Sequence, residues 1–375
     1  MKIAIDARAF YWTGVGRYIR NLASQILLEK PEEKFTLLVP EGKSRKIARQ
    51  LADTSGFFQY VEVEPSYYSL KEQTTFLFQL LGLNVDLVHF AHFNVPYFYN
   101  KPYVVTIHDI TRFIFPGQKR QSFMQQIAYE EIFAHAVARA KHVITVSNTT
   151  KHDMRELPFS RMAPITTIYE GLDSEFFSPV SLLSRQKARL LIGTDRPFLL
   201  FVGVWMSHKN LLRLLDAYQI VRKQHPEVAL LITGKPVPGY SNLIQYVHEH
   251  HLEKDIIFPG FVPHPLLPAL YAEAKAFVFP SLYEGFGLPP LEAMLCGTPV
   301  VASNVSSMPE LLGNNAQYVN PESVEDIARG IMRILEDPNY ATNLSQGAKK
   351  HAEQFTWKAA AEEHLGVYRN AVLAQ

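Results

Sequence analysis

There is one cysteine among 375 residues, Cys296, which leaves no partner for a disulfide and no thiolate set for a metal. A small core residue at a helix end is its expected role. Charge of one sign is also missing. Against 37 basic residues stand 36 acidic ones, which argues against a polyanion such as nucleic acid as the main partner. No stretch reaches the roughly 18 apolar residues of a membrane-spanning helix. The opening Met1-Lys2-Ile3-Ala4-Ile5-Asp6 reads as a short strand rather than the apolar core of a signal peptide. These absences predict a cytoplasmic protein whose only membrane contact is peripheral, at the inner face. Solenoid-period repeats and low-complexity tracts are absent as well.

What the chain does have is apolar material for two cores: 47% of its residues are hydrophobic, and the length exceeds one ordinary domain. Short apolar runs alternate with helical patterns from end to end, the signature of parallel α/β architecture. The first half predicts strands at 2–6, 35–39, 57–63, 86–90, 103–107, 142–146 and 165–169. The second predicts them at 198–203, 228–233, 256–258, 276–279, 299–302 and 317–319. Phe176-Phe177-Ser178-Pro179 reads as a linker, which divides the chain into 1–175 and 176–355. A final amphipathic helix over 356–375 follows Phe355-Thr356-Trp357.

The most informative stretch is Ser281-Leu282-Tyr283-Glu284-Gly285-Phe286-Gly287-Leu288-Pro289-Pro290-Leu291-Glu292-Ala293-Met294. It follows a buried strand, and its paired prolines suit a first helical turn. Glycines there let a ligand approach bare amides, and the helix start adds partial positive charge. Glu284 and Glu292 frame that turn. Carboxylates suit sugar hydroxyls, and amides suit phosphate, so a polyol joined to an anion is the ligand class implied. Two glutamates that merely stabilise a helix N-terminus are the bland alternative.

This element resembles the E-x7-E motif of the retaining GT-B glycosyltransferases of family 4, and Glu284 to Ser303 is similar to their bacterial mannosyltransferase-like branch. The resemblance implies two Rossmann-like domains facing across a cleft, the first binding an acceptor and the second a nucleotide sugar, with the last helix crossing back to the first domain. It implies transfer of a hexose, mannose from GDP-mannose first, to a glycan or lipid-linked hydroxyl with retention of configuration. UDP-glucose or UDP-N-acetylglucosamine as donor, a nucleotide-sugar epimerase, and a non-catalytic nucleotide-sugar-binding protein are the alternatives. No cofactor and no metal are expected, because amides and a lysine meet the phosphate charge.

Further residues take roles from the same likeness. Gly14-Val15-Gly16-Arg17 follows the first strand, and Gly16 is assigned to the donor diphosphate; Ile19 at the third glycine position excludes a dinucleotide fingerprint. His108 and Asp109 end a strand, where open α/β sheets bind ligands. His108 is expected near the anomeric carbon and, with Glu284 and Lys209, in catalysis; Asp109 and His92 are expected toward the acceptor, with His89 close by. Gly203 and Lys209 lie on the loop after the first strand of the second half, Lys209 as a point charge for the departing diphosphate. The resembled family has an arginine where Val204 stands, and an asparagine where Glu170 stands. Gly260-Phe261-Val262 is expected against the nucleotide base, and Glu284, Gly285, Phe286, Gly287, Leu288 and Glu292 complete the donor set, Glu292 on the ribose. Lys43, Arg45, Lys46, Arg49, Lys119 and Arg120, with Phe113, Ile114, Phe115 and Phe123, form basic and apolar clusters suited to weak membrane contact.

Overall fold

The computed structural model describes residues 1–64, 66–115, 123–159, 162–234 and 242–373. Seven strands form a wholly parallel first sheet: β1 (Lys2–Asp6), β2 (Lys34–Pro40), β3 (Phe58–Val63), β4 (Leu87–Phe90), β5 (Tyr103–Ile107), β6 (His142–Thr145) and β7 (Ile165–Thr167). Their order is β3-β2-β1-β4-β5-β6-β7. A second parallel sheet holds β8 (Phe198–Phe201), β9 (Ala229–Ile232), β10 (Ile256–Ile257), β11 (Ala276–Phe279), β12 (Val300–Ser303) and β13 (Gln317–Val319), in the order β10-β9-β8-β11-β12-β13. Each expected strand is present. The ladder stops at Thr167 and Phe201, two residues short in both cases, where the backbone turns off the sheet edge. Parallel strands are covered on both faces, which is why they read as unbroken apolar runs; β8, β9 and β11 are buried at every position.

The chain divides into two compact units. One comprises Met1–Ile110, Arg120–Gly171 and Thr356–Gln375, the other Thr111–Lys119 and Leu172–Phe355. The segment carrying Phe113, Ile114 and Phe115 therefore counts with the second unit, while the basic helix Ser44–Gln50 counts with the first. Lys119, Arg120 and the Phe123 side chain lie outside the described residues. Among those described, no helix is long and apolar enough to cross a membrane.

In the first unit the terminal helix Trp357–Leu373 packs on the helix Gly14–Glu29 and on β4 and β5. Its apolar stripe (Trp357, Ala361, Leu365, Tyr368) joins the core of the first sheet. A buried polar chain runs through this contact. His364 Nδ1 donates to the Ala360 carbonyl at 2.6 Å, so its Nε2 accepts from the Tyr18 hydroxyl at 2.5 Å. Tyr18 in turn accepts from Thr106 at 2.9 Å, Thr106 from His89 Nε2 at 2.8 Å, and His89 Nδ1 from Tyr368 at 2.7 Å. Each imidazole then carries one proton. Burial agrees, pushing His364 down to about 4 and His89 well below its ordinary range. His89, expected near an acceptor, is instead a fully buried core residue.

A second polar cluster anchors the end of β1. The Arg8 guanidinium contacts Asp6 at 2.9 Å and Glu72 at 3.0 Å, all three being at most 3% exposed. Its flat faces lie 4.1 Å from the Tyr67 ring centre and 3.6 Å from that of Phe76. Two buried carboxylates depend on one cation, so Arg8→Met should lower the unfolding free energy by about 3–5 kcal/mol. Urea unfolding of the whole chain measures this. A loss under about 1 kcal/mol would mean that the carboxylates are not held as ions.

Candidate active site

In the second sheet the strand order reverses between β8 and β11. The C-terminal ends of strands at such a reversal are the usual ligand edge of open α/β sheets. The loop after β8 carries Gly203, Val204 and Lys209; the loop after β11 carries Ser281 to Gly287. They are tied together. Leu282 N–H donates to the His208 carbonyl at 2.7 Å, and the Asn210 side chain donates to the Pro280 carbonyl at 3.0 Å. Asn210 closes a single 3-10 turn, Ser207–Lys209, with its backbone in the left-handed region at φ 62°. The Lys209 ammonium is thereby placed 2.7 and 2.8 Å from the two carboxylate oxygens of Glu284 and 5.3 Å from the Phe279 ring centre. Both side chains are mostly buried, at 16% and 11% exposure.

The turn after Glu284 is held from below. The Ser306 hydroxyl accepts from the Glu284 N–H at 3.0 Å, and Ser307 donates to the carbonyls of Glu284 and Phe286. Gly287 is obligatory there. Its φ of 107° suits no L side chain, and a Cβ would meet the Met308 methyl at 2.3 Å. The helix Leu288–Leu295 follows, and because Pro289 and Pro290 carry no N–H, the amides this turn presents are those of Gly285 to Leu288. Glu292 is 1% exposed and accepts from the Tyr271 hydroxyl at 2.8 Å. Phe261 stands 68% exposed, whereas Val262 packs inward. Val204 is 37% exposed, so it is not a core position, and His208 is buried. Cys296 is half-buried, and its surroundings push the thiol up to about 12, away from the reactive range. Asp173, Glu175 and His264 have potential metal-ligating atoms within 4.8 Å of one another, on elements other than these two strand ends. His264 Nε2 lies 3.0 Å from an Asp173 carboxylate oxygen in that cluster.

The first unit holds the remaining expected residues. His108 and the exposed Asp109 follow β5, and His92 follows β4. Gly16 lies in the first turn of its helix, where a Cβ would come within 2.6 and 2.7 Å of the Ala9 and Phe10 carbonyls. The glycine therefore lets the post-β1 loop fold back on its own helix. His108 Nε2 is 2.9 Å from the Ala91 carbonyl, and Nδ1 is 3.2 Å from Glu170. A carbonyl only accepts, so Nε2 bears a proton; a carboxylate at Nδ1 calls for a second. Burial alone would lower the His108 pKa, but the Glu170 hydrogen bond and charge outweigh it and hold the imidazole above its ordinary 6.5.

Residues 12–176 match the family described as Glycosyltransferase Family 4, and residues 184–351 match Glycosyl transferases group 1. An O-antigen chain mannosyltransferase B of Escherichia coli is 29% identical over 95% of this chain and 96% of its own length. The O-antigen chain mannosyltransferase RfbU of Salmonella typhimurium is 30% identical over 68% of this chain and 67% of its own. The chain belongs to the GT-B glycosyltransferases of family 4. Sucrose-phosphate synthase from Thermosynechococcus elongatus superposes with a TM-score of 0.80 at 22% identity, each chain covered in full. HepE of Anabaena, solved with UDP-glucose, gives 0.79 at 20% identity over 99% of this chain and 100% of its own.

For a member of this family, Glu170 is the residue whose part the sequence left open, and its contact with His108 supplies one. The raised His108 pKa makes a stability contribution that is complete below about pH 6.5 and is lost as pH rises through the folded-state value. Glu170→Gln should remove it. The stability advantage of the native chain over the variant should be largest near about pH 6 and shrink toward about pH 9, at about 1.4 kcal/mol per unit of pKa difference. Urea titrations across that range test this; an advantage independent of pH would mean that no proton is held by the pair.

Proposed function

We propose that this chain transfers a hexose, mannose from GDP-mannose, to a hydroxyl of a glycan or lipid-linked acceptor, with retention and without a metal. The observation that carries the reading is the Lys209–Glu284 pair at the strand-order reversal of the second sheet, beside the glycine turn that opens a helix. Full-length similarity to an O-antigen mannosyltransferase supports mannose as the sugar. In this reading the donor replaces the pair's internal bond. The diphosphate takes the Lys209 ammonium and the amides of Gly285 to Leu288, while sugar hydroxyls take the Glu284 carboxylate. Fixed positive charge then meets the negative charge that builds on the leaving diphosphate, with no reorganisation cost at that moment. Glu292 is assigned to the ribose and Phe261 to the base; Gly203 lets the loop carrying Lys209 leave its strand.

From the first unit, His108 is assigned to the reacting sugar, Gly16 to the diphosphate, and Asp109 and His92 to the acceptor. Weak contact of the basic helix Ser44–Gln50 with an anionic membrane surface belongs to the same proposal.

Calorimetry with GDP, UDP and their sugars, followed by transfer assays with the tightest donor, tests the reading. GDP-mannose should bind and be turned over equally in EDTA and in magnesium or manganese. Glu284→Ala should keep the fold and lose at least about a hundredfold in transfer, since one preorganised electrostatic partner is worth about 3 kcal/mol of barrier. Activity abolished by EDTA and restored by manganese would sink the metal-free reading. Near-normal turnover in the Glu284 variant would sink the donor site.

A further inference from the structure

The first sheet also reverses its strand order, between β1 and β4. The loops leaving those strands, together with the segment that follows β3, bring together aromatic rings with no part in the donor assignment. Trp12 comes from the post-β1 loop, held by a turn from its N–H to the Ala9 carbonyl at 2.8 Å. Its ring lies 4.7 Å from Tyr67 and edge-on to His92 at 5.8 Å. Tyr68 meets the same imidazole edge-on at 6.4 Å. Tyr67 rests on the buried Arg8 guanidinium. Yet Trp12 and Tyr68 are open to solvent, at 41% and 54%, while Tyr67 is half-buried. Tyr68 is held at φ 54°, a conformation that bulky residues adopt rarely and that is strained. Nδ1 of His92 is buried and makes no hydrogen bond among the described residues.

We propose that Trp12, Tyr67 and Tyr68, with His92 at their edge, form a stacking subsite for a pyranose ring of the acceptor glycan. The inference rests on the glycosyltransferase reading and deepens it on the acceptor side. A pyranose has an apolar C–H face and a rim of hydroxyls. The apolar face covers exposed aromatic carbon without stripping water from the hydroxyls, while rigid rings cost little entropy on binding. Burial and then the charge on His108 push the His92 imidazole down to about 3 and keep it neutral, so one of its nitrogens is left to accept from a rim hydroxyl. Location agrees with chemistry, since a strand-order reversal is where open α/β sheets take their ligands.

The chain supplies its own reporter. Of three tryptophans, Trp205 and Trp357 are 2% and 6% exposed, so quenching by acrylamide reads Trp12. Manno-, gluco- and galacto-oligosaccharides of increasing length are the probes. At least one series should shield Trp12, with protection growing with length and vanishing in Trp12→Phe. In transfer assays Trp12→Ala should raise the acceptor KM at least about tenfold, the size of an interface hot spot, and leave the donor KM unchanged. Tyr68→Ala, which cannot be mistaken for loss of the reporter, should do the same. Calorimetry with GDP and UDP runs alongside, so a failed donor reading appears there and a failed subsite appears in the quenching. Saccharides that leave Trp12 unshielded while a nucleotide binds would overturn the subsite. So would anionic vesicles shielding it where saccharides do not, or a KM effect confined to the donor.

Discussion

Parallel pairing imposes a constraint from which both candidate sites follow. A strand buried on both faces must be re-entered from the same end, so every connection crosses over the sheet on one side or the other. Where the order reverses, between β1 and β4 and again between β8 and β11, successive crossovers part to opposite faces. The backbone leaves a crevice at those two points before any functional side chain is placed. Trp12 and His92 stand at the first reversal, Lys209 and Glu284 at the second. Chemistry has been added to edges that the fold already exposes.

Polar burial sets how firmly each edge is built. In the first unit the hydrogen-bond chain from the Ala360 carbonyl to the Tyr368 hydroxyl has a single direction, because one end is a carbonyl that can only accept. Such a chain tolerates no second proton on His89 or His364, so it specifies one docking of the terminal helix Trp357–Leu373 on the first sheet. The Arg8 cluster does comparable work at the end of β1, where its guanidinium packs on the Tyr67 and Phe76 rings. Apolar packing alone supplies more stability per residue but less definition of register.

The strands were legible in the sequence because two-sided burial writes them as continuous apolar runs with glycine and proline between. Glu284, Lys209 and the helix start at Pro289 were legible for local reasons: turn chemistry and spacing. What could not be read was pairing across distance. Lys209 and Glu284 are 75 positions apart, and His108 and Glu170 are 62 apart. Nothing local marks either as a couple. His89 misled because a histidine at a strand end looks the same whether it faces solvent or, as here, donates to Thr106 in the core. Trp12 carried no signal at all until the order of β1 and β4 was known.

The Lys209–Glu284 contact bears on why the donor edge uses opposite charges rather than a cation alone. An isolated ammonium at 16% exposure would lose hydration without compensation. Paired with Glu284, it is compensated and held in position. The same pairing places a carboxylate 2.7 Å from the ammonium proposed to meet the phosphate. A sugar phosphate presents hydroxyls and anionic oxygens at comparable separation, so it satisfies both partners at once. A bare nucleotide satisfies the lysine but strips the glutamate of its cation. On the proposed assignment the pair favours a complete nucleotide sugar over its diphosphate fragment by the electrostatic cost of leaving Glu284 uncompensated.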